Sequence, residues 1–156
     1  MRTFLTKAFL AFAITTVAGF GADNTIGTWK LNTEKSKSSP GPMPVKSLTT
    51  TREASDGGVK VAATGEQANG TAINGGYTAK YDGKDVQVTG NLPYDTISLK
   101  QVNANTLTDA RKKTGGPYHA TSRIVVSNGG KTMTTTTKGV NGDGKDFTNT
   151  FVFDKQ

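Results

Sequence analysis

Apolar residues recur at every second position through most of the chain, in short runs rather than long ones. In the segment 58–65, Val59, Val61 and Ala63 alternate with polar or small residues. The segment 147–154 repeats the pattern, with phenylalanine on one face and threonine or aspartate on the other. A period of two is typical of strands with one buried face, and a helical period is missing. The pattern therefore predicts an all-β domain.

Turn residues separate these runs at intervals of roughly 10–13 residues, which is typical of a β-sandwich or barrel. Asp82-Gly83 predicts a tight hairpin turn in which both central residues take a positive φ. Sequential antiparallel strands hide their edges by closing into a barrel. We therefore predict an up-and-down antiparallel β-barrel of about ten strands, at about 26–31, 46–54, 58–65, 72–81, 84–89, 95–102, 105–113, 118–127, 131–139 and 146–154.

The segment 33–46 interrupts this regular pattern. It contains Pro40, Pro42 and Pro44, and proline at this density is incompatible with a regular helix or a central strand. We expect an extended loop that follows the surface of the barrel.

The first predicted strand carries the only tryptophan of the chain, Trp29, two residues after Gly27. In a barrel, the indole would close the floor at one end, and Gly27 would let the neighbouring backbone approach. The alternative is an ordinary core tryptophan of a β-sandwich.

The N-terminal segment 1–22 has the layout of a secretory signal peptide. Arg2 and Lys7 precede an apolar run, which ends in small residues. The run is short for a membrane-spanning helix, which needs roughly 20 apolar residues. We expect its removal to leave a single domain, 23–156, without a transmembrane segment. The chain has no cysteine for a lipid anchor, so the expected location is the periplasm or the outside of the cell.

The charge pattern argues against a nucleic-acid partner. The formal net charge is +7, of which Arg2 and Lys7 contribute two charges. The remaining basic residues are scattered, and only the segment 111–113 forms a cluster. Nucleic-acid binding would require a basic stripe with interleaved aromatic residues.

Residues for catalysis or metal binding are scarce. His119 is the only histidine, which is too few for the usual metal sites. Ser122, Asp109 and His119 could form a triad by type, but no nucleophile motif marks them, and His119 falls on the polar face of its strand. The segment 141–145 lacks most ligands of a calcium loop and predicts a hairpin. We expect no metal, no cofactor and no enzymatic activity.

The residues GTW at 27–29, followed by hairpin strands of this number, resemble the lipocalins and fatty-acid-binding proteins, the calycins. The opening GTWKLNTEKSKSSPGP, with the stretches YTAKYDGKDVQVTGN and VVSNGGKTMT, is similar to a family of small exported bacterial proteins described as lipocalin-like. The resemblance implies a ligand-holding barrel, here without the helical lid. Where fatty-acid-binding proteins carry an R-x-Y carboxylate site, this chain has Phe151 and Phe153.

Several polar residues share strand faces with apolar residues and could therefore point into the barrel. They are Arg52, Tyr77, Tyr81, Gln101, Arg111 and Asn149. The two arginines lie either at the rim, with the charge in water, or inside, where a buried cation needs a partner. The sequence thus favours an exported barrel that binds a small hydrophobic or amphipathic molecule without catalysis. The alternative is a filled barrel that acts as a structural or protein-interaction module of the cell envelope.

Overall fold

The structure is a computed structural model, and it describes residues 21–127 and 129–156. Most of the expected signal peptide lies outside the described residues. Within them the chain forms twelve β-strands and no helix. The strands are β1 (Gly27–Leu31), β2 (Lys37–Ser39), β3 (Val45–Ser55), β4 (Gly58–Gln67), β5 (Ala72–Lys80), β6 (Val86–Gln87), β7 (Thr89–Gly90), β8 (Thr96–Asn103), β9 (Thr106–Lys112), β10 (His119–Val126), β11 (Thr132–Val140) and β12 (Asp146–Lys155).

All strands pair antiparallel in one sheet that is nearly closed into a barrel. The order across the sheet is β6, β8, β9, β10, β11, β12, β1, β3, β4, β5, β7, with β2 added to β12. The first strand, β1, pairs with the last strand, β12, on one side and with β3 on the other. The two ends of the chain are therefore neighbours in the sheet. The prediction of an up-and-down antiparallel barrel without a helical lid is confirmed.

A single bent segment, 86–90, joins the two ends of the sheet. Its first part, β6, pairs with β8, and its second part, β7, pairs with β5. Gly90 ends β7 with φ +87°, and a Cβ there would lie 2.0 Å from the Asn74 carbonyl oxygen. We call this segment the seam. It replaces the single strand predicted at 84–89.

Two local predictions need correction. The proline-rich segment 33–46 contains the short strand β2, which pairs with residues 148–150 of β12. At Asp82-Gly83 only the glycine has a positive φ. Asp82 instead forms a bridge with Lys100 of β8, because the chain leans toward that strand after β5 rather than reversing in a tight hairpin.

The alternating pattern of β10 shows why the barrel forms. Ala120, Ser122, Ile124 and Val126 are buried, while the intervening residues are exposed. The inward face of a strand such as β10 is thus buried while its outward face meets solvent, as the period of two requires. Two clusters of buried side chains result, one around Trp29 and one around Ile97 and Leu99 on β8.

Trp29 is fully buried at one end of the barrel. Its Nε1 donates a hydrogen bond to the Thr25 carbonyl oxygen, at 2.8 Å. Lys155 lies over the indole, with Nζ 5.2 Å from the ring centroid. Gly27 has φ +134°, and a Cβ there would lie 2.9 Å from Lys155 Cε. Its close neighbour is therefore a side chain, not the backbone that the sequence suggested.

The chain just before β1 crosses the same end of the barrel. Asn24 N–H donates to the Ala104 carbonyl oxygen in the β8–β9 turn. Asp23 accepts hydrogen bonds from Thr25 and from the Tyr81 hydroxyl. These contacts connect strands that lie far apart in the sheet order, so residues 22–25 close this end. We call it the floor.

Candidate functional site

A cavity of about 330 Å³ occupies the barrel interior above the floor. Its walls are mostly apolar, because the inward faces of the long strands carry apolar residues. The chain segment 91–94, which follows the seam, covers one side of the cavity. The apolar lining includes Leu48, Val61, Ile73, Leu92, Ile124 and Phe151.

Four of the six polar residues expected to point inward line this cavity, namely Arg52, Tyr77, Arg111 and Asn149. The other two lie elsewhere, near the floor. Tyr81 donates a hydrogen bond to Asp23, and burial, followed by this bond, raises its pKa. Gln101 donates to the Ala22 carbonyl oxygen, at 3.1 Å.

Arg52 lies at the floor end of the cavity, on β3. The residue is only 4% exposed, so it does not reach water at a rim. Its Nε donates a hydrogen bond to Thr25 Oγ1, at 3.1 Å, and Thr25 Oγ1 in turn donates to Asp23. The guanidinium is thus held from one side by the segment that closes the floor.

Arg111 lies toward the opposite end, and it forms a two-bond ion pair with Asp109 on the same strand. Nε donates to one carboxylate oxygen at 2.9 Å, and Nη2 donates to the other at 2.7 Å. The Asp109 side chain is fully buried, while that of Arg111 is 18% exposed. Burial would lower the pKa of Arg111, but the Asp109 carboxylate outweighs burial and raises it. The charge of Arg111 is therefore balanced by a carboxylate within the protein.

Aromatic side chains surround this ion pair. The guanidinium of Arg111 lies over the Tyr94 ring, 5.0 Å from its centroid. Tyr94 stacks on Tyr118 at 6.1 Å, and Tyr118 meets Phe147 at 6.0 Å. Burial is the main cause that raises the pKa of both tyrosines.

Two further polar pairs lie between the strands. Ser122 and Thr137 share a buried hydrogen bond of 2.9 Å between β10 and β11. Asn149 accepts a bond of 2.7 Å from Ser38 of β2. The two hydroxyl groups and the Asn149 amide oxygen thus have partners within the protein, which limits the number of polar atoms free to contact a molecule in the cavity.

The three residues that could form a triad by type do not converge. Ser122 and Asp109 point inward, and each already has a partner. His119 is exposed on the outer face of β10, and its Nδ1 lies 2.9 Å from the Pro117 carbonyl oxygen. In the described part of the chain, no three His, Asp or Glu side chains come together as a metal site would require.

Sequence reasoning missed three groups of this site. Asp109 was considered only for a triad, although its spacing of two from Arg111 and Leu107 places all three on one face. The strand parity of β10 predicts that Tyr118 faces inward, although it was not among the polar residues expected to line the interior. Tyr94 lies in a loop, where no periodicity applies.

The described residues show no membrane-spanning helix, and the comparisons with known proteins give no family. No helix among residues 21–127 and 129–156 is long and apolar enough to cross a membrane. No protein-family model matches the sequence, and the comparison with curated proteins gives no match.

Proposed function

We propose that this protein binds one small hydrophobic or amphipathic molecule reversibly inside the barrel, without changing it chemically. The cavity carries the proposal. Its volume of about 330 Å³ falls at the lower end of the range of small-molecule sites, roughly 300–1,000 Å³. Apolar walls with a few polar groups are typical of such sites.

Among residues 21–127 and 129–156 the candidate reactive groups do not converge, which agrees with binding rather than catalysis. The buried hydroxyl groups of Ser122 and Thr137 are paired with each other, and the carboxylate of Asp109 is held by Arg111. A general base or a nucleophile would need a neighbouring group placed within hydrogen-bond distance to activate it. We propose a binding protein without a cofactor, similar to lipocalins, whose leader directs it to the periplasm or out of the cell.

A fluorescence titration tests the proposed function. Phenylnaphthylamine, a small uncharged dye that brightens in apolar surroundings, should bind at one site per chain. A panel of small hydrophobic molecules should displace it. Native mass spectrometry of protein purified from its own organism would then identify a retained molecule.

Two alanines on β4 supply a matched pair of variants. Ala63 lines the cavity, whereas Ala62 is exposed on the outer face. Ala63→Leu fills part of the cavity. A dye that must share the smaller space is overpacked, at a typical cost of ~1–3 kcal/mol. Dye binding should therefore weaken roughly tenfold or more. Ala62→Leu should leave it unchanged. Absence of dye binding at micromolar concentrations, or equal binding by both variants, would instead favour a filled barrel that contacts other proteins.

A further inference from the structure

Two polar side-chain atoms on the inward face of β3 are buried without a partner. Thr50 Oγ1 and Arg52 Nη2 have no hydrogen bond to any residue in 21–127 or 129–156. Residues two apart on a strand point to the same side, and both residues line the cavity. Most buried polar groups in proteins are paired, so an unpaired guanidinium nitrogen calls for a specific explanation.

Arg52 lines the cavity, and its buried Nη2 has no partner among the described residues. Nε is turned to Thr25, which is fully buried and does not line the cavity. The Asp23 carboxylate accepts hydrogen bonds from Thr25 and Tyr81, and among the described residues it is linked to Arg52 only through the Thr25 hydroxyl, without a direct ion pair. A buried charge that lacks a close counter-charge is costly. An anionic group in the cavity would remove this cost.

Arg111 differs from Arg52 in this respect. Two of its guanidinium nitrogens donate to the two oxygens of Asp109, so the charge is already balanced. Although both arginines line the cavity, only Arg52 has a fully buried guanidinium nitrogen without a partner among the described residues. The buried guanidinium nitrogen without a partner therefore lies at the floor end of the cavity, not at the end near Tyr94.

Resting on the proposed function, we infer that the ligand is a small amphipathic anion that binds with its head toward the floor. A carboxylate or similar singly charged oxyanion accepts hydrogen bonds from Arg52 Nη2, and the Thr50 hydroxyl donates to the same group. Thr50 and Arg52 are about 7 Å apart along the strand, a span that the long arginine side chain crosses. The apolar part of the ligand lies among Ile73, Ile124 and Phe151.

A matched pair of dyes tests this inference separately from the proposed function. Anilinonaphthalene sulfonate has the apolar skeleton of phenylnaphthylamine plus one anionic group. The wild-type protein should bind the anionic dye more tightly than the neutral one. In Arg52→Gln, binding of the anion should weaken about 30-fold or more, the lower end for losing one partner of a buried charge pair. Binding of the neutral dye should change little.

Control variants separate local contacts from net charge and folding. Arg123→Gln removes the same charge from the exposed face of β10 and should leave both dyes unaffected. Thr50→Val should weaken only the anionic dye, while Thr51→Val, on the opposite face of β3, should not. Arg52→Lys keeps the charge, so it should retain much of the preference, and it provides a second test where Arg52→Gln fails to fold.

The outcomes distinguish the two proposals. Binding of the neutral dye without a preference for the anion overturns the anionic ligand and leaves the binding protein in place. A preference that survives in Arg52→Gln, or that is lost equally in Arg123→Gln, also overturns it. Failure of both dyes to bind the wild-type protein contradicts both proposals.

Discussion

Replacing Asp109 by alanine should destabilise the barrel because it leaves the Arg111 guanidinium without its carboxylate. The Asp109 side chain is fully buried, and it accepts both hydrogen bonds of the pair. Removing one partner of a buried ion pair typically costs ~3–5 kcal/mol. Since the Arg111 side chain is 18% exposed, water can reach it in the variant, and we expect a loss of about 3 kcal/mol.

Arg111→Met should cost at least as much, since it leaves a carboxylate with no exposure and no counter-charge. The double variant Asp109→Leu/Arg111→Met replaces both charges by apolar groups. Such replacements are often nearly neutral, so the double variant should be more stable than either Asp109→Ala or Arg111→Met.

Urea unfolding followed by far-UV circular dichroism at neutral pH measures these differences. For a double-mutant cycle, Asp109→Ala, Arg111→Met and their combination should give a coupling energy of about 2 kcal/mol or more. The surface pair Lys46 and Glu66 is the control, with a separation of 2.9 Å but side chains 57% and 45% exposed. Its coupling should be ~0–1 kcal/mol. A loss below 1 kcal/mol for Asp109→Ala, with coupling no larger than in the surface pair, would refute the buried-pair argument.

Three other predictions address different parts of the molecule. Trp29→Ala should cost about 3–5 kcal/mol, and the native indole should resist acrylamide quenching; a loss under 1 kcal/mol with a quenchable indole would contradict its burial. The pKa of Asp95 is lowered in the folded protein, first of all by the hydrogen bond from the Thr114 N–H. The stabilisation by this carboxylate is therefore present above its ordinary pKa of 3.8. It is lost as the pH falls through the lower pKa of the folded state. The advantage of wild type over Asp95→Asn in urea midpoint should therefore be larger at pH 7 than at pH 2. The exported protein should begin between residues 19 and 24, and N-terminal sequencing of cell-envelope material that still shows Met1 would contradict export.

The long strands could be predicted because their alternation is simple. In β4 and β10 each inward residue is apolar or small, so a period of two identifies both the strand and its buried face. The short strands were harder. β2 has no apolar alternation and forms only because β12 extends past β1 and offers unpaired backbone groups to residues 37–39.

The polar part of the site depends on contacts between distant residues, which periodicity does not report. Parity predicted that Arg52 and Arg111 share faces with apolar residues, but not which of them is neutralised. Asp109 neutralises Arg111. The alternation gives no reason to expect this, because charged residues are seldom buried on the inward face of a strand. Thr25, which holds Arg52, lies before the first strand, where no pattern indicated an interior residue.

The seam makes one side of the barrel weaker than the rest. β5 and β7 are joined through two residue pairs, and so are β6 and β8, whereas nine pairs join β11 and β12. Regions with few paired residues open at a lower free energy than the whole protein unfolds. The amide hydrogens at the seam should therefore exchange with solvent before those of the long ladders.

Opening at the seam would also move the chain segment that covers the cavity, because residues 91–94 follow β7 directly. The rate at which a bound molecule leaves would then be set by this local separation of strands and not by the strength of its contacts alone. The same separation exposes the edges of β5 and β8, and free strand edges pair readily with other chains. The weakly paired seam would thus link the residence time of a bound molecule to the tendency of the protein to self-associate.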